Sequence, residues 1–295
     1  MAELWAEAGL PDGVFSVIQG DRSTAEALLD HPDIAAVSFV GSTSAARLVH
    51  ARATATGKRV QALGGAKNHA VILPDADLDF ASDHLAAAAF GSAGERCMAI
   101  SATVAVGDRA DELLDRVDAK ARAVRVGPGV DPASEMGPII SAQSRDRIVS
   151  LIDSGERDGG EVRVDGRVLT VAGHEEGFFV GPTVIDRVTP TMEVYTEEIF
   201  GPVLLVVRAS TLDEAMALIN ANPYGNGTAV FTRDGGAARR FMREVHVGMI
   251  GVNVAIPVPM AYHSFGGWKA SLFGDLHIHG PEGIRFYTRG KVITQ

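Results

Sequence analysis

Cys97 is the only thiol in this 295-residue chain, and no side chain near it in sequence is as strong a nucleophile. It lies in Phe90-Gly-Ser-Ala-Gly-Glu-Arg-Cys-Met-Ala-Ile-Ser101, where glycines and alanines leave room for backbone and a bound ligand to approach the sulfur. A thiol attacks as its thiolate, and a nearby cation lowers its pKa. Arg96 is that cation in sequence, so an Arg96-activated Cys97 is the expectation; neighbours along a helix need not face each other, which limits the help. Composition alone favours a plainer reading, a small hydrophobe buried in a core, because inert cysteines are common.

A second candidate is the turn at Gly41-Ser42. An apolar run ends there and an alanine-rich segment begins, and a strand that turns tightly into a helix points free backbone N–H groups at a phosphate. There is no G-x-G-x-x-G, so a phosphate site and an ordinary connection both stay open on these residues. Glu197 and Glu198 read either as an exposed strand entry or as carboxylates able to accept from two sugar hydroxyls. Nine histidines are scattered with no ligand spacing beyond His277-x-His279, and a structural zinc site wants four ligands, so no metal is expected.

These residues need a scaffold, and the hydrophobic pattern predicts alternating strands and helices. Residues 1–8 read as a helix stopped by Gly9 and Pro11, and Val14–Ile18 as a short strand. Ser23-Thr-Ala-Glu26 reads as a capping box opening a helix that ends before Pro32. Ile34–Val40 is a predicted buried strand, followed by a helix to about Thr56. Strand, loop and strand over Lys58–Leu73, a helix from Asp75 to about Phe90 and a strand over Ser101–Val106 bracket Cys97. Helices are expected at 108–122, 141–153, 211–221 and 236–245, and strands at 228–232 and 249–254. Residues 155–176 read as a surface hairpin with solvated charges, and Ile284–Thr294 has a strand pattern. The rhythm is that of an α/β protein with a doubly wound parallel sheet.

Composition narrows the partners. With 46% hydrophobic residues and a formal net charge of -10, the chain suits neither disorder nor a nucleic-acid or anionic-membrane surface. No apolar run reaches membrane-spanning length. A single cysteine forbids an internal disulfide and favours a reducing compartment, and the acidic start Met1–Leu10 lacks the marks of a signal or transit peptide, so a cytoplasmic setting is expected.

Taken together, the motifs resemble the aldehyde dehydrogenase superfamily, most closely its methylmalonate-semialdehyde dehydrogenases. Gly94-Glu-Arg-Cys-Met-Ala99 is similar to the nucleophile motif, Phe39-Val-Gly-Ser42 to the phosphate-binding turn, and Glu197-Glu-Ile-Phe-Gly-Pro-Val203 to a cofactor-gripping signature. Asn222–Phe231 and Phe265–Leu276 are similar to further motifs, so the resemblance covers essentially the whole chain. It implies an aldehyde dehydrogenase-like α/β fold, a partial doubly wound cofactor domain plus an α/β catalytic domain. Residues 1–65 would be the C-terminal remnant of the NAD-binding domain, 66–268 the catalytic thiol domain, and 269–295 a return to the cofactor domain with an oligomerisation strand. It implies NAD as cofactor, with Ser42 at the pyrophosphate, Glu198 on the nicotinamide ribose, Phe200 beside the nicotinamide, and Gly64 in the same cofactor-binding set.

By the same resemblance Cys97 attacks a small semialdehyde, a hydride passes to NAD, and the acyl group stays on sulfur as a thioester. Most relatives hydrolyse that thioester with a glutamate; counted back from Lys67, its position here holds Leu63, which cannot take a proton. A thiol with pKa near ~8.5 needs no such base, so coenzyme A is the implied acyl acceptor, with CO2 lost and propionyl-CoA or acetyl-CoA released. Arg96 is the candidate for the substrate carboxylate, since a guanidinium matches a planar bidentate partner; a purely structural Arg96 is an equal reading. Full-length members start well upstream of Met1. The resemblance therefore implies an N-terminally truncated chain lacking the first βαβ unit, a ribose-binding lysine and an oxyanion-hole asparagine, with a hydrophobic sheet edge left open. The expectation is a CoA-acylating semialdehyde dehydrogenase assembling as a homo-oligomer, dimer or tetramer. Its alternatives are a catalytically dead remnant acting only in assembly and a hydrolytic aldehyde dehydrogenase.

Overall fold

The structure, a computed structural model, describes residues 1–295. Along the chain, α1 (Ala2–Glu7) and α2 (Arg22–Asp30) precede β1 (Ala36–Val40), α3 (Thr43–Ala55), β2 (Arg59–Leu63) and β3 (Asn68–Ile72). Next come α4 (Leu78–Phe90), β4 (Ile100–Val106), α5 (Ala110–Ala123), α6 (Ala142–Arg157), β5 (Glu161–Val164), β6 (Thr183–Asp186), α7 (Glu193–Thr196) and β7 (Val203–Ala209). The chain continues through α8 (Leu212–Ala221), β8 (Tyr224–Gly225), β9 (Gly227–Phe231), α9 (Gly235–Glu244) and β10 (Met249–Val252). It ends with β11 (Trp268–Lys269), β12 (Leu272–Phe273) and α10 (Gly280–Tyr287).

Seven strands form one sheet in the order β10-β9-β3-β4-β7-β6-β5, parallel throughout except for the edge strand β5. Its central strands are apolar on both faces, as a parallel sheet covered by helices requires. Alternation divides the side chains: Ala70 and Ile72 join one cluster with residues of α4, α5 and α6, while Val71 and Leu73 join a second with α8 and α9. A smaller sheet, β1-β2-β12, pairs β1 parallel and β12 antiparallel to β2. α3 and α2 cover one face of it through Ala46, Val49, Ala53 and Leu29. A two-stranded ladder, β8 with β11, ties the segment before β12 to the start of β9.

Four expectations need correction. Val14–Ile18 is not a strand: no strand lies beside it, and Val14, Phe15, Val17 and Ile18 are exposed. The cap of α2 is Asp21, whose carboxylate accepts from Ser23 N–H, while Glu26 is drawn instead to Arg22 and Arg52. Residues 155–176 do not fold back on themselves; β5 pairs with the distant β6. The charges there are engaged too, Arg163 with Asp115 and Asp118, Arg167 with Asp153, Glu156 and Asp165. Finally, Ile284 to Tyr287 belongs to α10, because Pro281 suits the first turn of a helix and Glu282 its positive end, and the tail beyond finds no strand partner in the chain. No helix is long and apolar enough to cross a membrane.

Candidate active site

The sulfur is carried by an unusual link between α4 and β4. α4 stops at Phe90, and a single 3₁₀ turn follows over Gly91–Gly94, in which Ser92 and Ala93 both adopt φ of 53° and Gly94 φ of 68°. Left-handed backbone costs a residue with a Cβ about 1 kcal/mol or more, and such strain gathers where a fold must present a group. At Gly94 a Cβ would collide with the Gly201 carbonyl, so this turn is pressed against the segment leading into β7. Two asparagine amides then fix the nucleophile. Asn68 Nδ2 donates to the Cys97 carbonyl at 2.9 Å and Asn226 Nδ2 donates to it at 3.0 Å. Asn68 also donates to Ala99 O and accepts from Gly227 N–H, each at 2.9 Å, which commits both its N–H groups and its oxygen.

Cys97 opens onto a cleft of about 790 Å³. Ser42, Gly64, Glu198 and Phe200 line the same cleft, so the structure brings together five of the six sequence candidates. Ser42 caps α3, its Oγ accepting from Ala45 N–H at 3.4 Å, so the helix N-terminus faces the cleft. Thr43 Oγ1 accepts from Gly65 N–H at 2.9 Å, joining that helix start to the β2–β3 loop. The two loop glycines are there for close approach: a Cβ would lie 2.5 Å from Ala270 O at Gly64 and 2.6 Å from Glu198 Oε2 at Gly65.

Glu198 accepts from Ala66 N–H at 2.9 Å. Burial pushes its carboxyl up from the ordinary range, opposed by that N–H and by the charges of Lys67 and Arg147. Arg147, on α6, holds the backbone behind it, donating to Glu198 O at 2.8 Å and Ile199 O at 3.0 Å. The next residue, Phe200, has φ of 57° and remains 42% exposed, its ring left on the cleft wall.

Arg96 behaves differently from expectation. Its Nη2 donates back to Ala87 O at 2.9 Å and Ala88 O at 3.4 Å, carbonyls in the last turn of α4, of which Ala87 O also accepts from the capping Gly91 N–H. The arginine is thus drawn to the negative end of a helix dipole and away from the sulfur. The Cys97 thiol is correspondingly pushed up, by burial first and by the charge of Glu198 next, against the pull of the Cys97 and Met98 N–H groups. The Arg96-lowered thiol is therefore not what the structure holds.

Sequence reasoning missed Asn68, Asn226, Arg147 and Lys67. Asparagine is disfavoured in strands, so Asn68 at the head of an apolar run was a readable signal of a buried amide with work to do. Lys67 is buried, donates to Val194 O at 3.0 Å, and burial brings its pKa down to about 7. No group of three or more His, Cys, Asp or Glu side chains is placed to hold a metal ion.

Comparison with known proteins places this geometry among relatives. The profile of the aldehyde dehydrogenase family matches residues 1–293. The chain is 58% identical over 296 residues to malonate-semialdehyde dehydrogenase of Pseudomonas aeruginosa, covering 100% of this chain and 60% of that protein. It is 50% identical over 295 residues to the mitochondrial, acylating methylmalonate-semialdehyde dehydrogenase of Arabidopsis thaliana, covering 100% of this chain and 48% of that one. A crystal structure from Sinorhizobium meliloti complexed with NAD superposes with a TM-score of 0.97 at 54% identity, covering 98% of this chain and 59% of that chain. The chain thus spans 48–60% of the length of these relatives.

Proposed function

Since this chain belongs to the aldehyde dehydrogenase family, we propose that it carries the thiol chemistry of an NAD-dependent, CoA-acylating semialdehyde dehydrogenase, with malonate or methylmalonate semialdehyde as substrate. The observation that carries the reading is the single cleft shared by Cys97, Ser42, Gly64, Glu198 and Phe200. The names of the relatives in Pseudomonas aeruginosa and Arabidopsis thaliana supply the substrate class and the acylating outcome.

The cleft suits a dinucleotide. Its volume of about 790 Å³ lies in the range of cofactor pockets, the start of α3 offers N–H groups to a pyrophosphate, and a Cβ at Gly65 would fill the space at Glu198. Ser42 would hold the pyrophosphate, Glu198 the ribose hydroxyls and Phe200 the nicotinamide face, with Gly64 allowing the approach. When bound there, NAD supplies the hydride acceptor.

The chain's own residues do the rest. Cys97 sulfur forms a bond to the aldehyde carbon and the carbonyl oxygen takes the negative charge; after oxidation the acyl group remains on sulfur as a thioester. The bond to the substrate carboxylate then breaks, CO2 leaves, and its electron pair passes to the carbon next to the thioester, which takes a proton. Arg96, with only Nη2 committed to protein acceptors, is proposed to hold that carboxylate beforehand. Leu63, buried at the end of β2, offers no base for water, so the acyl group awaits a better nucleophile. The thiol of coenzyme A attacks the thioester carbon and Cys97 leaves as thiolate. A reducing, cytoplasmic setting suits a mechanism whose working sulfur must stay a free thiol.

Residues 1–65 and 269–295 are proposed as cofactor-side structure around a catalytic domain of 66–268, a division favoured by the membership of β1, β2 and β12 in one sheet. Assembly into a homo-oligomer is proposed with it.

The test is NADH formation from malonate semialdehyde and CoA by this chain. Turnover that needs CoA and falls by at least ~10³-fold in Cys97→Ala supports the reading. Turnover without CoA would favour a hydrolytic enzyme, and none at all from folded protein a non-catalytic role.

A further inference from the structure

Behind the sulfur lies a recess of about 20 Å³, bordered by Arg96, Cys97, Ser101, Asn68 and Glu198. Two of these residues carry a buried polar atom with no protein partner, Arg96 Nε and Ser101 Oγ. Leaving a buried donor unpaired is destabilising, and a charged one more so. Neither atom is bonded by its neighbours: the Asn68 Nδ2 hydrogens go to Cys97 O and Ala99 O, its Oδ1 accepts from Gly227 N–H, and Glu198 Oε1 accepts from Ala66 N–H. The recess exceeds the ~10–15 Å³ that one water needs, and its walls are polar enough to hold one.

We propose that one ordered water sits in this recess, accepts from Arg96 Nε–H, bonds Ser101 Oγ and donates a hydrogen toward Cys97 Sγ. A guanidinium can only donate and a hydroxyl can do either, so the water keeps one hydrogen free for the sulfur. The arginine that turns away from the thiol then still polarises it, through one bridging molecule, and Ser101 becomes a positioning residue for the thiolate. Other charges surround the cleft. Glu197 and Glu198 before β7, Arg147 of α6 and Arg47 of α3 line it with Cys97, while Glu95 of the same turn accepts from Ile140 N–H at 3.3 Å and the buried Lys67 interacts with Glu198. None of these borders the recess except Glu198.

The consequence rests on Cys97 being the working nucleophile, but the test does not need turnover, because the chain has one thiol and alkylation reports on it alone. Iodoacetamide rates are measured from pH 6 to 10. Ser101→Val, which fills the recess, is expected to slow alkylation at pH 7 by roughly three- to tenfold, the factor one ordinary hydrogen bond carries, with an unchanged rate at high pH. Arg96→Met should give the same shift, and the double variant no more than either single, since both act through one water. Superposed profiles for wild type and Ser101→Val, or losses that add in the double variant, overturn the proposal. If Ser101→Val does not fold, a high-resolution crystal structure of the wild type decides: density at about 2.6–3.2 Å from both Arg96 Nε and Ser101 Oγ supports the water, and an empty recess ends it. A shifted profile in a chain without turnover would sink the proposed function and leave the water; superposed profiles in a working enzyme would do the reverse.

Discussion

In the seven-stranded sheet β3 and β9 are buried end to end and 40 buried side chains form one cluster, whereas β1 of the smaller sheet has no fully buried residue and its cluster holds six. The two sheets meet at one cleft but contribute unequally to it. The large sheet holds the thiol: Cys97 sits between α4 and β4 with its carbonyl gripped from β3 and from the β8–β9 link. The small sheet contributes Ser42 and Gly64, which line the cleft and which the proposed function assigns to the cofactor. On the proposed function, placing the nucleophile depends on the well-buried half and gripping a dinucleotide on the lean one. Disturbing the small sheet should weaken cofactor affinity long before it displaces the thiol.

The largest test of this asymmetry is a pair of truncations. Leu205→Ala removes a wholly buried side chain at the middle of β7 and is expected to cost about 2–5 kcal/mol. Val60→Ala on β2 removes less, from a smaller cluster at 8% exposure, and is expected to cost about 1 kcal/mol. Urea unfolding of the two variants gives the comparison, and hydrogen exchange refines it, with amides of β1 and α3 opening ahead of β3, β4 and β7. Equal costs and equal protection would mean that the two halves are one cooperative unit.

The same asymmetry explains what could be read from the residues alone. The strands and helices around Cys97 were legible because a sheet buried on both faces writes apolar runs, as at Ala-Val-Ile-Leu over 70–73. The helix start at Ser42 was legible because the pattern changes period there, and Cys97 stood out as the chain's one thiol. Val14–Ile18 misled because a strand is defined by a neighbour, and no local pattern says whether one is present. Ile284–Thr294 misled because Pro281 and Glu282, outside the apolar stretch, decide for a helix. Arg96 could not be read at all: a long side chain goes to whichever acceptor is open, and here that was the end of α4. The amides of Asn68 and Asn226 were hidden inside motifs whose glycines and aromatics drew more notice.

At the seam between the halves, Lys67 gives an intermediate effect with a definite sign. Burial lowers its pKa to about 7 from an ordinary 10.5. Below about pH 7 the folded and unfolded chains both carry the proton, so this group adds no slope. Between about 7 and the ordinary value the unfolded chain keeps a proton that the folded chain has released, so stability rises with pH, by up to about 1 kcal/mol per unit. Lys67→Met removes the group and with it the slope. Melting temperatures of both proteins from pH 6 to 10 should show wild type gaining on the variant only on the alkaline side. A constant gap would mean that Lys67 stays charged, with Glu198 as its true partner, and that the seam is held by an ion pair and not by a hydrogen bond to Val194 O alone.

The smallest expected effect is the one that most sharpens the contrast. Val17 is 56% exposed in a segment with no strand beside it, so Val17→Lys should change unfolding free energy by less than about 0.5 kcal/mol. Removing an exposed apolar side chain from Val14–Ile18 should, at the same time, reduce any concentration-dependent association seen by light scattering, because such a run offers a sticky surface. If the variant instead lost more than about 1 kcal/mol, Val17 would have to be packed in solution against a partner, either the free edge of β1 or a second copy. The small sheet would then be wider than its three strands, its burial would approach that of the large one, and the division of labour drawn between the two halves would fail.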